Sequence, residues 1–89
     1  MPCARRAVVH GRVQGVFYRD TVRRAATQRG VAGWAANRDD GTVEVWLEGE
    51  PDAVESMLRV LHEGPSQAEV ESVDVSDVAP EGLDGFKIR

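Results

Sequence analysis

The sequence alternates most clearly between apolar and polar side chains over residues 42–48, Thr-Val-Glu-Val-Trp-Leu-Glu. An extended chain places the three apolar residues of this stretch on one face, which predicts a half-buried strand. Residues 39–41 before it, Asp-Asp-Gly, are typical of a hairpin turn, because an Asp-Gly pair tolerates the positive φ that such turns need. We therefore expect the strand to form a hairpin with the extended segment 31–37.

Two further segments have the three- and four-residue repeat of helices. Residues 17–29 repeat apolar side chains and are followed by Gly30, a residue typical of a helix C-cap. A second helix begins at Pro51 and ends before residues 64–65, Gly-Pro. Its apolar stripe consists of Val54, Met57, Leu58 and Leu61.

Three more strands are predicted at residues 4–10, 70–78 and 86–89. Val70 is out of phase with the rest of its strand, which would fit a β-bulge. The order of elements is therefore β-α-β-β-α-β with a short final strand. Two split βαβ units of this kind predict a ferredoxin-like α+β sandwich, in which both helices cover one face of an antiparallel sheet. Residues 1–89 form one domain, because the chain is too short for a second core.

The composition is that of an ordinary globular protein, with 42% hydrophobic and 29% charged residues and a net charge of −4. The charge is divided unevenly, since residues 1–38 contain eight arginines and one acidic residue, while residues 39–89 carry an acidic excess. A basic excess in one half suits a small anionic ligand. The negative net charge and the lack of aromatic RNA-binding motifs argue against a nucleic-acid partner.

Cysteine usage and hydropathy bear on the compartment. The chain has a single cysteine, Cys3, so it can form neither an intramolecular disulfide nor a multi-cysteine metal site. Small folds without disulfides are typical of reducing compartments. The sequence has neither a signal peptide nor an apolar stretch long enough to span a membrane. We expect a cytoplasmic monomer with no membrane partner.

The stretch from Gly11 to Arg19 lies between the first strand and the first helix, and it contains two glycines. Such a loop can direct several main-chain N–H groups toward one anion, and the following helix start adds the positive end of its dipole. Arg19 in the first turn could bind two phosphate oxygens. The stretch lacks the pattern of a nucleotide-binding P-loop, so it predicts neither ATP nor Mg²⁺. By itself it would be interpreted as a simple turn with a solvated arginine.

A second motif changes this interpretation. Residues 9–19 are Val-His-Gly-Arg-Val-Gln-Gly-Val-Phe-Tyr-Arg, and residues 33–43 are Gly-Trp-Ala-Ala-Asn-Arg-Asp-Asp-Gly-Thr-Val. With both motifs at this spacing, the chain resembles the acylphosphatase family over essentially all of its 89 residues. Tyr18 stands where the family often has Phe, and Ala35 where it often has Val.

The resemblance implies a hydrolase that cleaves acyl phosphates to a carboxylate and inorganic phosphate without a metal or cofactor. Arg19 would bind the phosphate, and the side chain of Asn37 would hold the water that attacks phosphorus. The main-chain N–H groups that complete the phosphate site would be those of Gln14, Gly15, Val16, Phe17, Tyr18 and Arg19. Thr42 either supports Asn37 or the loop through its hydroxyl group, or is an ordinary exposed strand residue. Inorganic phosphate would inhibit as a product.

The alternative function is a module of the same fold that binds phosphate or an acyl phosphate without turnover. Other chemistry-bearing residues are expected to be structural. His10 and His62 have no acidic partner at a short spacing, so we interpret them as strand-end and helix-surface residues. Trp34 and Trp46 are interpreted as packing residues. The sequence does not identify the physiological acyl phosphate.

Overall fold

The structure of the protein, a computed structural model, describes residues 1–89. Five strands and two helices occur in the predicted order: β1 (Cys3–Arg12), α1 (Tyr18–Arg29), β2 (Ala32–Asn37), β3 (Val43–Gly49), α2 (Pro51–Glu63), β4 (Glu69–Val78) and β5 (Phe86–Ile88). Neither helix has the length and apolar composition that crossing a membrane requires.

The strands form one sheet in the order β4-β1-β3-β2-β5. The first βαβ unit contains β1 and β2, and the second contains β3 and β4. β3 lies between β1 and β2, and β1 lies between β3 and β4, so one strand of each unit is inserted between the two strands of the other. These four strands pair antiparallel, and the two helices contact each other as well as the sheet. The predicted ferredoxin-like α+β fold is confirmed. The final strand differs from the others: β5 pairs parallel with β2, so the sheet is mixed.

The core lies between the two helices and one face of the sheet. Its fully buried members on the central strands and helices are Ala7, Val9, Ala35, Val43, Val45, Leu47, Tyr18, Val22, Ala26, Val54, Met57 and Leu61. Burying an aliphatic side chain of this size contributes about 1.5–3 kcal/mol relative to leaving it exposed. The apolar face predicted for residues 42–48 and the stripe predicted for α2 both lie in this core, although Leu58 is only partly buried.

The phenol of Tyr18 joins the two helices. Its hydroxyl group donates a 2.6 Å hydrogen bond to the main-chain oxygen of Leu61, inside the core. Leu61 lies in the last turn of α2, where carbonyl groups have no partner within the helix. Burial raises the pKa of Tyr18, so the phenol remains a donor.

β1 continues two residues past its predicted end, and its pairing with β4 is irregular there. The register of the pair shifts at Gly11, which leaves Glu71 without a partner on β1. The bulge indicated by the phase of Val70 is therefore confirmed. A Cβ atom at Gly11, whose φ is 125°, would lie 2.1 Å from the main-chain oxygen of Glu69, so the close approach of the two strands requires glycine.

Residues 79–85 connect β4 and β5, which lie at opposite edges of the sheet. The carboxylate of Glu48 binds this connection by accepting hydrogen bonds from the main-chain N–H groups of residues 81–83 at 2.7–2.9 Å. The indole N–H of Trp46 donates a further bond of 3.1 Å. Burial raises the pKa of Glu48, but the four hydrogen bonds outweigh burial, and the pKa lies below its ordinary value.

Candidate active site

The loop between β1 and α1 adopts a conformation that exposes its main-chain donors. Gly15 and Phe17 both have positive φ, 73° and 61°, and helix α1 begins immediately afterwards at Tyr18. No side chain caps this end of the helix. The predicted helix start at Phe17 is therefore one residue early, because Phe17 is the left-handed residue that precedes α1.

The main-chain N–H groups of residues 14–19 donate to no main-chain oxygen of the protein. Hydrogen bonding in this region begins only with the N–H of Thr21, which donates to the carbonyl of Phe17 at 3.0 Å. Several unpaired donors at the positive end of a helix dipole form a site that favours an anion. The loop therefore has the geometry that an anion site requires.

Arg19 lines a cavity of about 260 Å³ at this loop. Its Nη1 donates a 2.8 Å hydrogen bond to the main-chain oxygen of Arg89, which fixes the direction of the guanidinium group. The remaining lining residues are Val13, Gly15, Phe17, Tyr18, Asp20 and Ile88. The cavity therefore combines cationic, main-chain and apolar surfaces.

Both the main chain and the side chain of Arg89 contact β2. Its main-chain N–H donates to the carbonyl oxygen of Ala35 on β2 at 2.9 Å. The guanidinium carbon of Arg89 lies 4.6 Å from the centroid of the Trp34 ring, a cation–π contact. Arg19 is consequently oriented by a main-chain oxygen at the end of β5, a partner that no local sequence pattern indicates.

The one acidic residue on this cavity is neutralised by its neighbours. Asp20 accepts hydrogen bonds from Arg24 and Arg23, four and three residues further along α1. These bonds lower the pKa of Asp20, so it stays ionised, and the two arginines more than balance its charge. With Arg19 included, the start of α1 carries a net positive charge that favours an anionic ligand.

Gln14 connects this loop to the segment that follows Asn37. Its side-chain amide donates to the main-chain oxygens of Arg38 and Thr42 at 2.8 and 2.9 Å. Asn37 is the last residue of β2, is exposed, and lines a shallow depression with residues 38–40 instead of the cavity of Arg19. The hydrogen bonds of Gln14 thus connect the two motifs: Arg19 belongs to the motif that contains Gln14, and Asn37 belongs to the motif that accepts the bonds.

Thr42 is 6% exposed, so its interpretation as an exposed strand residue is wrong. Its hydroxyl group donates to the carboxylate of Asp40 at 2.5 Å, and its N–H donates to the same oxygen at 3.0 Å. Both bonds lower the pKa of Asp40 and shape the turn. The hydroxyl therefore donates its hydrogen bond to the turn, and not to Asn37 or the loop. The hydrogen bond between Thr42 and the loop is made by its carbonyl group, which accepts from Gln14.

Other candidate residues lie outside the cavity. His10 does have an acidic partner, because its Nε2 lies 3.0 Å from a carboxylate oxygen of Asp74 on β4. That pair is 64 residues apart in sequence, so no short spacing could reveal it. Trp34 and Trp46 stack with ring centroids 6.3 Å apart, which agrees with their expected packing role. No three His, Cys, Asp or Glu side chains lie close enough together to hold one metal ion.

The protein is thus of the ferredoxin-like α+β class, and a set of unpaired main-chain N–H donors lies at the start of its first helix. The acylphosphatase family model matches residues 5–88. The chain belongs to the acylphosphatase family, as its two motifs predicted.

Individual relatives support the same assignment. The chain is 53% identical over 81 residues to an acylphosphatase of Haloquadratum walsbyi, a match that covers 91% of this chain and 87% of that protein. The crystal structure of acylphosphatase from Bacillus subtilis has a TM-score of 0.95 at 38% identity, covering 100% of this chain and 99% of the other. An acylphosphatase from Coxiella burnetii has the same TM-score at 35% identity and covers 99% and 93% of the two chains.

Proposed function

We propose that this member of the family hydrolyses the carboxyl–phosphate bond of acyl phosphates by attack of water on phosphorus. The observation that carries the proposal is the run of unpaired main-chain N–H groups over residues 14–19, at a cavity that Arg19 also lines. The relatives described above are acylphosphatases, which supports the same activity for this chain.

In the proposed complex, the phosphate group is held by the loop and by Arg19. A guanidinium group has five N–H donors. One nitrogen of Arg19 is already bonded to Arg89, so the other donors are available to phosphate oxygens in an orientation that is fixed before binding. Fixed donors of this kind stabilise the charge that spreads over the equatorial oxygens in the transition state.

The reaction forms a bond from the water oxygen to phosphorus and breaks the bond from phosphorus to the acyl oxygen. The carboxylate leaves with the electron pair of that bond, and both protons of the water remain on the phosphate product, which is released as H₂PO₄⁻ and then equilibrates with solvent. The conjugate acid of a carboxylate has a pKa of roughly 4–5, so this leaving group departs without a general acid. The absence of a histidine or carboxylic acid donor from the proposed mechanism follows from this chemistry.

Asn37 is proposed to orient the water. Its amide can accept a hydrogen bond from water through its oxygen and donate one through its nitrogen, but it is a poor base. The exposed position of Asn37 at the end of β2 leaves its side chain free for this contact. Gln14 supports the arrangement by joining the main chain beyond Asn37 to the phosphate loop.

The proposed mechanism needs no metal ion or cofactor, and inorganic phosphate should compete with the substrate for the same donors. The cytoplasmic location and the monomeric state expected from the sequence stay predictions. Size-exclusion chromatography with light scattering would measure the oligomeric state.

The proposal is tested by following benzoyl phosphate and acetyl phosphate hydrolysis by the purified chain in EDTA. We expect turnover of both compounds and competitive inhibition by inorganic phosphate. The Arg19→Ala variant, assayed in parallel, shows whether turnover comes from this site. If the chain binds phosphate but hydrolyses neither compound, it is a phosphate-binding module and the proposal is wrong.

A further inference from the structure

Phe17 combines two unfavourable features. It is the one non-glycine residue of the chain with a positive φ, at φ 61° and ψ 23°. Its side chain is also 77% exposed, so the ring is largely in contact with water. The left-handed conformation has a free-energy cost for any residue with a Cβ atom. Burial of the aromatic ring does not offset that cost.

The backbone conformation at Phe17 has a structural role, but this role does not require an aromatic side chain. The positive φ turns the loop into α1 and lets the carbonyl of Phe17 accept from Thr21. Glycine would adopt the same conformation without strain, as Gly15 does two residues earlier. A strained residue beside a binding site indicates a role for its side chain.

The ring of Phe17 lies at the anion site and next to other apolar surface. Phe17 lines the same cavity as Gly15 and Arg19, and Val13 and Ile88 line it as well. Ile88 is 39% exposed, and its pairing with Ala35 in the parallel β2–β5 ladder places it at this cavity. The cavity lining thus divides chemically into a cationic group, Arg19, and two apolar side chains, Phe17 and Ile88, that a ligand can reach.

This division matches the two parts of an acyl phosphate, an anionic phosphate and an acyl group. We propose that Phe17 and Ile88 bind the acyl group, and that the chain prefers acyl phosphates with an aromatic or large apolar acyl group over small ones. The inference rests on the function proposed above. An apolar acyl group that covers Phe17 and Ile88 removes exposed apolar surface from water, whereas an acetyl group is too small to cover both.

The acyl group contacts these residues equally in the bound substrate and in the transition state. Such uniform binding lowers KM and leaves kcat nearly unchanged. The side chain of Phe17 is therefore proposed as specificity-determining, whereas its main-chain N–H belongs to the donors proposed to hold phosphate. A defect in the loop would instead affect every substrate alike.

The test compares kcat/KM for benzoyl phosphate and acetyl phosphate on each of four proteins: the wild type, Phe17→Gly, Phe17→Asn and Ile88→Ala. Glycine and asparagine both tolerate the left-handed conformation, so these two variants keep the loop backbone. The ratio of the two kcat/KM values is the readout, because any change in the phosphate site cancels in the ratio. Thermal unfolding of each variant is recorded in parallel.

We expect the wild type to prefer benzoyl phosphate. The ratio should fall about tenfold in Phe17→Gly and Phe17→Asn, which corresponds to about 1.4 kcal/mol. The loss should lie in KM, with a smaller fall in Ile88→Ala. The unfolding temperature of Phe17→Gly should equal or exceed that of the wild type. An unchanged ratio in both Phe17 variants, or a wild type that prefers acetyl phosphate, overturns the inference alone. Lack of turnover of both compounds by the wild type overturns the proposed function and the inference together.

Discussion

The side-chain amide of Gln14 donates a 2.9 Å hydrogen bond to the main-chain oxygen of Thr42, and so joins the phosphate loop to the first residue before β3. A second bond, to Arg38, extends the join to the residue that follows Asn37. The two halves of the proposed site are thus connected by one neutral side chain. A change at Gln14 should therefore act on both halves.

Gln14→Glu should be more harmful than Gln14→Ala at neutral pH. A carboxylate would face two carbonyl oxygens, whereas alanine only removes two donors, a loss of about 0.5–1.5 kcal/mol for each bond. The two carbonyl oxygens would raise the pKa of the introduced carboxyl group, so the penalty is present at high pH and disappears as pH falls through that raised value. Thermal unfolding of both variants at pH 7 and pH 4 checks this. A constant difference between them would contradict the geometry at Gln14.

Arg19→Ala and Arg19→Lys should both lower kcat by about 10²–10³ while the fold is kept. Lysine keeps the charge but loses the planar donor geometry and the orienting bond to Arg89. Arg29→Ala is the matched control, because Arg29 lies at the other end of the same helix and bonds to Ser56. Steady-state kinetics on the three variants would show whether turnover needs the planar guanidinium group of Arg19. Normal activity in Arg19→Lys would show that charge alone is sufficient.

Asn37→Ala should lower kcat by a similar factor of about 10²–10³ and leave phosphate inhibition unchanged, since Asn37 is proposed to hold water and not phosphate. Its exposed side chain contributes little to packing, so the unfolding temperature should stay close to that of the wild type. Asp39→Ala, two residues further along the exposed turn, provides the control. If the inhibition constant for phosphate rises along with the loss of turnover, Asn37 contacts the phosphate itself.

In Glu48→Gln, the free energy of unfolding should depend less strongly on pH in the acid range than it does in the wild type. The folded-state pKa of Glu48 lies below its ordinary value. Its stabilising contribution is therefore fully present above the unfolded pKa of about 4.3 and is lost as pH falls through the folded value. At pH 7 the glutamine variant should lose about 1–3 kcal/mol, because an amide cannot satisfy the three main-chain donors of residues 81–83.

Urea unfolding of Glu48→Gln between pH 7 and pH 3 measures that effect, with the exposed Glu63→Gln as its control. The two variants should differ most at pH 7 and converge at pH 3. If Glu48→Gln follows the same pH dependence as Glu63→Gln, the carboxylate of Glu48 does not hold the connection to β5.

Tyr18→Phe should lower the free energy of unfolding by about 1–2 kcal/mol, because the buried oxygen of Leu61 loses its donor. Catalysis should be affected much less, since the phenol lies in the core. Chemical denaturation gives the first quantity and steady-state kinetics the second. A large loss of kcat with unchanged stability would place the hydroxyl group in the site.

The sequence indicates the parts of this protein that depend on local patterns. Alternation over residues 42–48 identifies a strand, and the two glycines between β1 and α1 identify a turn that could serve as an anion loop. Even the bulge on β4 is visible, because Val70 is out of phase with its strand. The family motif then adds Asn37, whose local context alone indicates only a turn.

Contacts between distant residues could not be predicted in the same way. Alternation places Glu48 on the polar face of its strand, but it does not show that residues 81–83 cover that carboxylate. The partner of Arg19 is a main-chain oxygen, which carries no sequence signal. The pairing of His10 with Asp74 follows from the register of β1 and β4, and register is a property of the folded sheet.

The placement of Arg89 has a consequence for folding kinetics. The hydrogen bond that orients Arg19 joins residues 70 positions apart, and those of Gln14 span 24 and 28 positions. Contacts this far apart form only after the entropy of closing large loops has been lost, which slows folding in chains of high contact order. The stacked pair Trp34 and Trp46, by contrast, belongs to a local hairpin. During refolding, the part of the tryptophan signal that reports ring stacking should therefore appear before activity. The part that reports the contact of Arg89 with Trp34 should appear together with activity, because both need β5 to have joined the sheet.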